Sequence, residues 1–211
     1  MKKFVFGFLL LFLDFNLNFG RMSLNVLPEF VGYYLLLQGA NEMKRVSPRF
    51  EVSQPFMVGM IIYTAILWVG SLLGVSLGMV GMVLGLIATA VHFYIAWLLV
   101  KALRELEENR EADLYGAVLH KRWKILLGLT AAVHLLRLLG MVAPMDAVGM
   151  AAAVLVLADI IWAFLFVLGW NRAAGLWEDL CAAPAAGAES SAAPAEEPAA
   201  AEAETPAREE E

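Results

Sequence analysis

From Val52 to Val100 the chain carries no Asp, Glu, Lys or Arg. That is too long and too apolar for an element of a soluble core. A bilayer's hydrocarbon layer takes roughly 20 residues of helix, so the run holds two membrane crossings and a tight turn. The rest of the composition agrees: 61% of residues are hydrophobic, 17% are charged and the mean hydropathy is +0.69. Soluble domains carry roughly 25% charged residues.

The formal net charge of -6 is a property of the tail. Residues 182–211 hold eight Glu and one basic residue, Arg208, while the remainder is nearly balanced. The tail is Ala, Pro and Glu with no aromatic residue, so it is expected to be a disordered, solvated spacer. Its charge keeps it off anionic lipid. The predicted organisation is a transmembrane helical bundle over 1–181 and an acidic tail over 182–211. Cys181 is the single cysteine, which excludes an intramolecular disulfide.

Six apolar segments are legible: about Lys3 to Phe19, Leu24 to Gln38 (with a surface extension to Arg45), Pro55 to Leu73, Met79 to Val100, Trp123 to Leu139 and Ala147 to Trp170. The first two are short and fit either tilted spans or a re-entrant pair. The first has the charged start and apolar stretch of a signal peptide but no small-x-small cleavage site, so it is expected to remain as a span. With alternating sides, thirteen Lys/Arg fall with the N-terminus and only Arg21 and Arg137 fall opposite. That asymmetry puts both termini in the cytoplasm. Trp97, Trp123, Trp170 and Trp177 fall near the inner face, where indole rings anchor at headgroups. Leu99, Leu103 and Leu106 extend the fourth helix beyond the membrane.

An ionisable group within a span is costly and needs a partner or a cavity. Asp14, Glu29, His134 and Arg137 are expected in an outer layer, with Asn18 and Tyr33 one turn from Asp14 and Glu29. Pairing of Asp14 or Glu29 with Arg137, with His134 nearby, is the favoured arrangement of that layer. His92 and Asp159 are expected near the midplane, roughly 20 Å from the outer face. They could form a proton relay, or Asp159 could hydrogen-bond a neighbouring helix through Thr89, Tyr94 or Thr130. The structural role is favoured. Gly70, Gly74 and Gly78 recur every fourth residue, followed by Gly81 and Gly85, a spacing that permits close helix approach or serves the turn.

Asp14-x-Asn16-x-Asn18 opens like a calcium loop, but Gly20 comes one residue late and Asn25 occupies the closing Glu position. His92, His120 and His134 are too scattered in depth for zinc. No H-E-x-x-H, phosphate-cradling loop or G-x-S-x-G is present. The sequence thus points to no metal, no cofactor and no catalytic residue, and no basic patch with interleaved aromatics points to nucleic acid. The partner read directly is the lipid bilayer; a homo-oligomer or a protein partner is compatible with the composition.

Leu13-Asp14-Phe15-Asn16-Leu17-Asn18-Phe19-Gly20 and Leu27-Pro28-Glu29-Phe30-Val31-Gly32-Tyr33, followed by Ser47-Pro48-Arg49-Phe50, Pro55 and Gly59-Met60, resemble an uncharacterised family of bacterial polytopic membrane proteins. The resemblance is specific over residues 1–60. It implies a bacterial cytoplasmic-membrane protein and no known activity.

The expectation is therefore an all-α, multi-pass bundle of about six spans. Its leading function is that of a non-enzymatic structural or accessory membrane protein. The alternative is a small-solute or proton-coupled transporter, or a channel-like protein, with an intramembrane His/Asp relay.

Overall fold

The computed structural model describes the backbone of residues 1–12, 16–19, 22–25, 28–75, 77–139 and 145–189, and the side chains of 1–12, 28–75, 77–136, 138 and 152–182. The elements are α1 (Lys2–Phe12), β1 (Asn16–Phe19), β2 (Met22–Asn25), α2 (Glu29–Met43), α3 (Arg49–Val52), α4 (Gln54–Leu72), α5 (Gly78–Arg110), α6 (Gly116–Leu139) and α7 (Met145–Glu189). Apart from the two short strands, every described element is a helix. The first compact unit is Met1–Glu178. Among its described residues, the second unit, Asp179–Glu211, holds the last turns of α7, with Cys181 exposed. Helical backbone continues to Glu189, past the predicted start of the tail; residues 190–211 lie outside those described.

Three helical stretches are long and apolar enough to cross a membrane: Arg49–Leu72, Gly78–Arg110 and Ala152–Ala182. The sequence predicts about six spans, and the other three segments fall short for physical reasons. α1 has 11 residues and α2 has 15. At 1.5 Å per residue they reach roughly 16 and 22 Å, less than a hydrocarbon layer of about 30 Å. α6 is long enough but spends its first turns on His120, Lys121, Arg122 and Lys124.

The sequence predicts a first helix to Phe19; the described helix covers Lys2–Phe12, and Asn16–Phe19 is a strand. Asn16-Leu17-Asn18-Phe19 alternates polar and apolar residues, a period-two pattern, and Asn competes poorly for helix. That stretch pairs antiparallel with Met22–Asn25, Asn16 opposite Asn25 and Phe19 opposite Met22. Asp14 lies outside the described residues, as does the side chain of Asn18. Helical spacing therefore does not relate the two.

α1 and α2 form an antiparallel hairpin built on glycine. A Cβ on Gly7 would sit 2.7 Å from the Leu36 side chain and 3.0 Å from the Gly32 carbonyl oxygen. One on Gly32 would sit 2.7 Å from Leu11 and 3.0 Å from the Gly7 carbonyl oxygen, and one on Gly39 would meet the Phe4 ring at 2.9 Å. Of the two readings of the glycine spacing along α4 and α5, the turn is the one the structure bears out. Gly59, Gly70 and Gly85 face open space, and Gly81 approaches only Leu77 of its own turn. Gly74 and Gly78 adopt φ of 72° and 51°, so they serve the turn, where a side chain would be strained.

The core is aromatic and lies between α1, α2, α5 and α7. Phe4 packs on Phe50 and Trp170 with ring centroids 5.7 and 5.2 Å apart. Phe8 packs on Phe166 and Trp170 at 5.2 and 5.6 Å. Trp170 is fully buried. Its predicted role as a headgroup anchor is corrected, because the α1 rings cover it.

Leu99, Leu103 and Leu106 are buried along the extension of α5. The charged ends meet beside it. Lys2 pairs with Glu178 at 3.0 Å, Lys3 with Glu42 at 2.7 Å, and Arg49 with Glu105. Arg110 lies over Trp177 at 5.9 Å. One end of the bundle thus collects the basic side chains.

Candidate functional site

Two polar contacts join helices that are distant in sequence. In the first, Tyr33 Oη of α2 and Nδ1 of His92 on α5 share a hydrogen bond of 2.9 Å. Rings of Phe8, Phe12, Tyr33 and Phe93 surround the imidazole edge-on, at centroid distances of 6.5, 5.4, 5.9 and 5.6 Å. The other ring nitrogen, Nε2, is buried without a hydrogen-bond partner among the described residues. A phenol donating to Nδ1 leaves the imidazole proton on Nε2, so the outstanding group is then a donor. Trp170 Nε1 is a second buried donor without a partner among those residues.

In the second contact, Thr130 Oγ1 of α6 donates to Asp159 Oδ1 of α7 at 2.8 Å. His134 Nδ1 donates to the Thr130 carbonyl, one turn back on its own helix, at 2.9 Å. This leaves His134 within electrostatic reach of Asp159. Arg122 fixes the register of the same helix pair further along, donating to the Leu165 carbonyl on α7.

The structure therefore sorts the predicted residues by helix pair rather than by layer. Tyr33, assigned beside Glu29 in the outer layer, joins His92. His134, assigned to the outer layer, joins Asp159. His92 and Asp159 take partners from different helices and share none. Glu29 opens α2 and lies within electrostatic reach of Tyr33 and Tyr63. The proposed pairing of Asp14 with Arg137 falls on an aspartate and a side chain outside the described residues.

The Tyr33–His92 contact is not legible in the sequence, because depth along each helix does not reveal how the helix starts are offset. Tyr33 lies one turn into α2, roughly 6 Å, whereas His92 lies roughly 21 Å into α5. Both helices run towards the basic end, so their starts are offset by about 15 Å. Thr130 is one of the three partners read for Asp159, with Thr89 and Tyr94, and it is the one that donates to it.

In the sequence Glu107 reads as one charge of a solvated helix extension, a turn from Arg110; in the structure it is a loop clasp. Its Oε1 accepts from the backbone N–H groups of Leu114 at 2.8 Å and Gly116 at 2.6 Å. One carboxylate thereby closes the loop after α5 and caps the start of α6, where exposed N–H groups favour negative charge. Nearby, His120 stacks on Trp123 at 5.9 Å. Burial, then the cations Lys124 and Arg104, hold its imidazole below the usual 6.5.

Among the described residues, no group of three or more His, Cys, Asp or Glu could hold a metal ion. Comparison with family models, curated proteins and solved structures finds no match to this chain.

Proposed function

We propose that this chain is a non-enzymatic integral membrane protein of structural or accessory type, whose intramembrane polar groups hold its helices in register. The observation that carries the reading is the pair of separate interhelical hydrogen bonds, Tyr33 to His92 and Thr130 to Asp159. Each hydroxyl supplies a partner to a group that is expensive in lipid, and each fixes one helix against another. In this reading α1 and α2 enter as a tilted or re-entrant pair, α6 completes the crossings, and both termini face the cytoplasm of a bacterium. The gathering of Lys2, Lys3, Arg49 and Arg110 at one end supports that orientation; the bacterial host rests on the N-terminal resemblance.

One observation favours the alternative, a proton-coupled transporter: the unsatisfied Nε2 of His92, which could pass a proton to a transient water. Flux of protons into proteoliposomes, read with an entrapped pH dye, separates the readings. The structural reading expects leak equal to empty vesicles and a lowered unfolding midpoint in Thr130→Val. Flux that His92→Phe abolishes would overturn it. Topology is tested in a Cys181→Ser background by labelling Lys44→Cys and Arg104→Cys in intact cells. Labelling by a membrane-impermeant reagent refutes cytoplasmic termini.

A further inference from the structure

An open pocket of about 460 Å³ lies at the basic end, between the start of α1 and the last turns of α2. Lys3, Gln38, Asn41, Glu42, Lys44 and Arg45 line it. The carboxylate is already compensated, since Glu42 pairs with Lys3 at 2.7 Å. Lys44 and Arg45 are exposed and have no carboxylate partner among the described residues. The pocket thus presents two uncompensated cations. The side-chain oxygen of Asn41 accepts from Gln54 Nε2 at 3.1 Å, which leaves its NH2 group to donate. Such a set suits a phosphate oxygen cluster, with guanidinium and ammonium for charge and amides for direction.

The surface beside the pocket identifies the source of that phosphate. Tyr34 precedes Gln38 by one turn of α2, and Phe6 follows Lys3 by one turn of α1. Both are large and uncovered, with Phe6 57% and Tyr34 51% exposed. Polar pocket and apolar flank therefore follow each other along the same helix faces, in the direction that leads from the charged end into the hydrocarbon. A free phosphate would use only the first part. An amphiphile uses both.

We propose that this pocket holds the phosphate-bearing headgroup of an anionic phospholipid, with its acyl chains lying along Phe6 and Tyr34. The site does not depend on which compartment the basic end faces, or on the choice between structural and transport roles. Each cation close to an anionic headgroup contributes enough that removing two weakens binding about 25-fold.

The test is a lipid titration of the purified full chain in detergent, followed by native mass spectrometry. Dioleoylphosphatidylglycerol, dioleoylphosphatidylcholine and inorganic phosphate serve as probes. The expected result is one phosphatidylglycerol held tightly by the wild type, with binding about 25-fold weaker in Lys44→Gln/Arg45→Gln. Phosphatidylcholine and inorganic phosphate should not distinguish the two proteins. A second variant, Lys121→Gln/Lys124→Gln, removes two exposed cations of α6 and should keep wild-type affinity. Equal weakening in both variants would reduce the effect to diffuse attraction and overturn the site. So would unchanged binding in Lys44→Gln/Arg45→Gln. Saturation by inorganic phosphate alone would make it a free-anion site, and overturn the lipid assignment.

Discussion

Gly39 offers a clean measure of how tightly the α1–α2 hairpin is packed. An added methyl there would lie 2.9, 3.0 and 3.2 Å from three carbons of the Phe4 ring. That ring cannot swing away, because Phe50 and Trp170 hold it at 5.7 and 5.2 Å and it is fully buried. The hairpin must open by several tenths of an ångström, and such overpacking costs about 1–3 kcal/mol. Ala also gains about 1 kcal/mol over Gly in a helix interior, which blurs a single measurement. Gly85 removes that ambiguity. It lies within α5 and faces open space, so Gly85→Ala carries the propensity change without the clash. The difference between the two variants isolates packing. We expect Gly39→Ala to be less stable than Gly85→Ala by about 1–3 kcal/mol. Equilibrium unfolding in mixed micelles, followed by tryptophan fluorescence, reads it. Equal stability of the two would refute the close approach of α1 to α2.

Four further outcomes are expected. Thr130→Val should lose about 0.6–1.7 kcal/mol in the same assay, the range for an interhelical bond in a membrane; Asp159→Asn, which can still accept from Thr130, should lose less. Tyr33→Phe should destabilise by about 1–3 kcal/mol, because His92 Nδ1 is then left unpartnered in the core. Glu107→Ala should speed hydrogen exchange at the Leu114 and Gly116 amides while leaving mid-helix amides of α4 unchanged; equal exchange in the wild type would remove Glu107 as the loop clasp. His120 titrates below its usual 6.5, so the unfolded chain binds a proton first. Its contribution to stability is complete above 6.5 and is lost as pH falls through the lower folded value, a small effect at a ring only partly buried. His120→Gln should flatten that part of the pH profile.

Much of the helical framework was legible because lipid allows few choices. The charge-free run located α4, the turn at Gly74 and the start of α5 within two residues, and the leucine stripe carried α5 beyond Val100, though not to its end at Arg110. What eluded inspection were quantities that need two elements at once. Glycine spacing marked Gly81 and Gly85, yet close approach occurs at Gly7, Gly32 and Gly39, where an aromatic or leucine from the facing helix fills the space. Spacing shows that a helix can be approached and does not show that another helix is there. Trp170 followed the same logic: an indole at the right depth reads as a headgroup anchor until Phe4 and Phe8 are placed over it. The Tyr33–His92 bond required the stagger between α2 and α5, which no single helix reveals.

The uneven distribution of neighbours along α4 and α5 has a mechanical consequence. Near the basic end α5 is covered by α3 and by aromatic side chains of α1 and α7, while Ile62, Ile66, Met79 and Val83 present one largely exposed apolar face, with Phe30 of α2 reaching α4 at Trp68. The far half of the hairpin is therefore shaped by the solvent it stands in. A thinner bilayer would lean the hairpin over, and a thicker one would draw it upright, while the clasped end keeps its geometry.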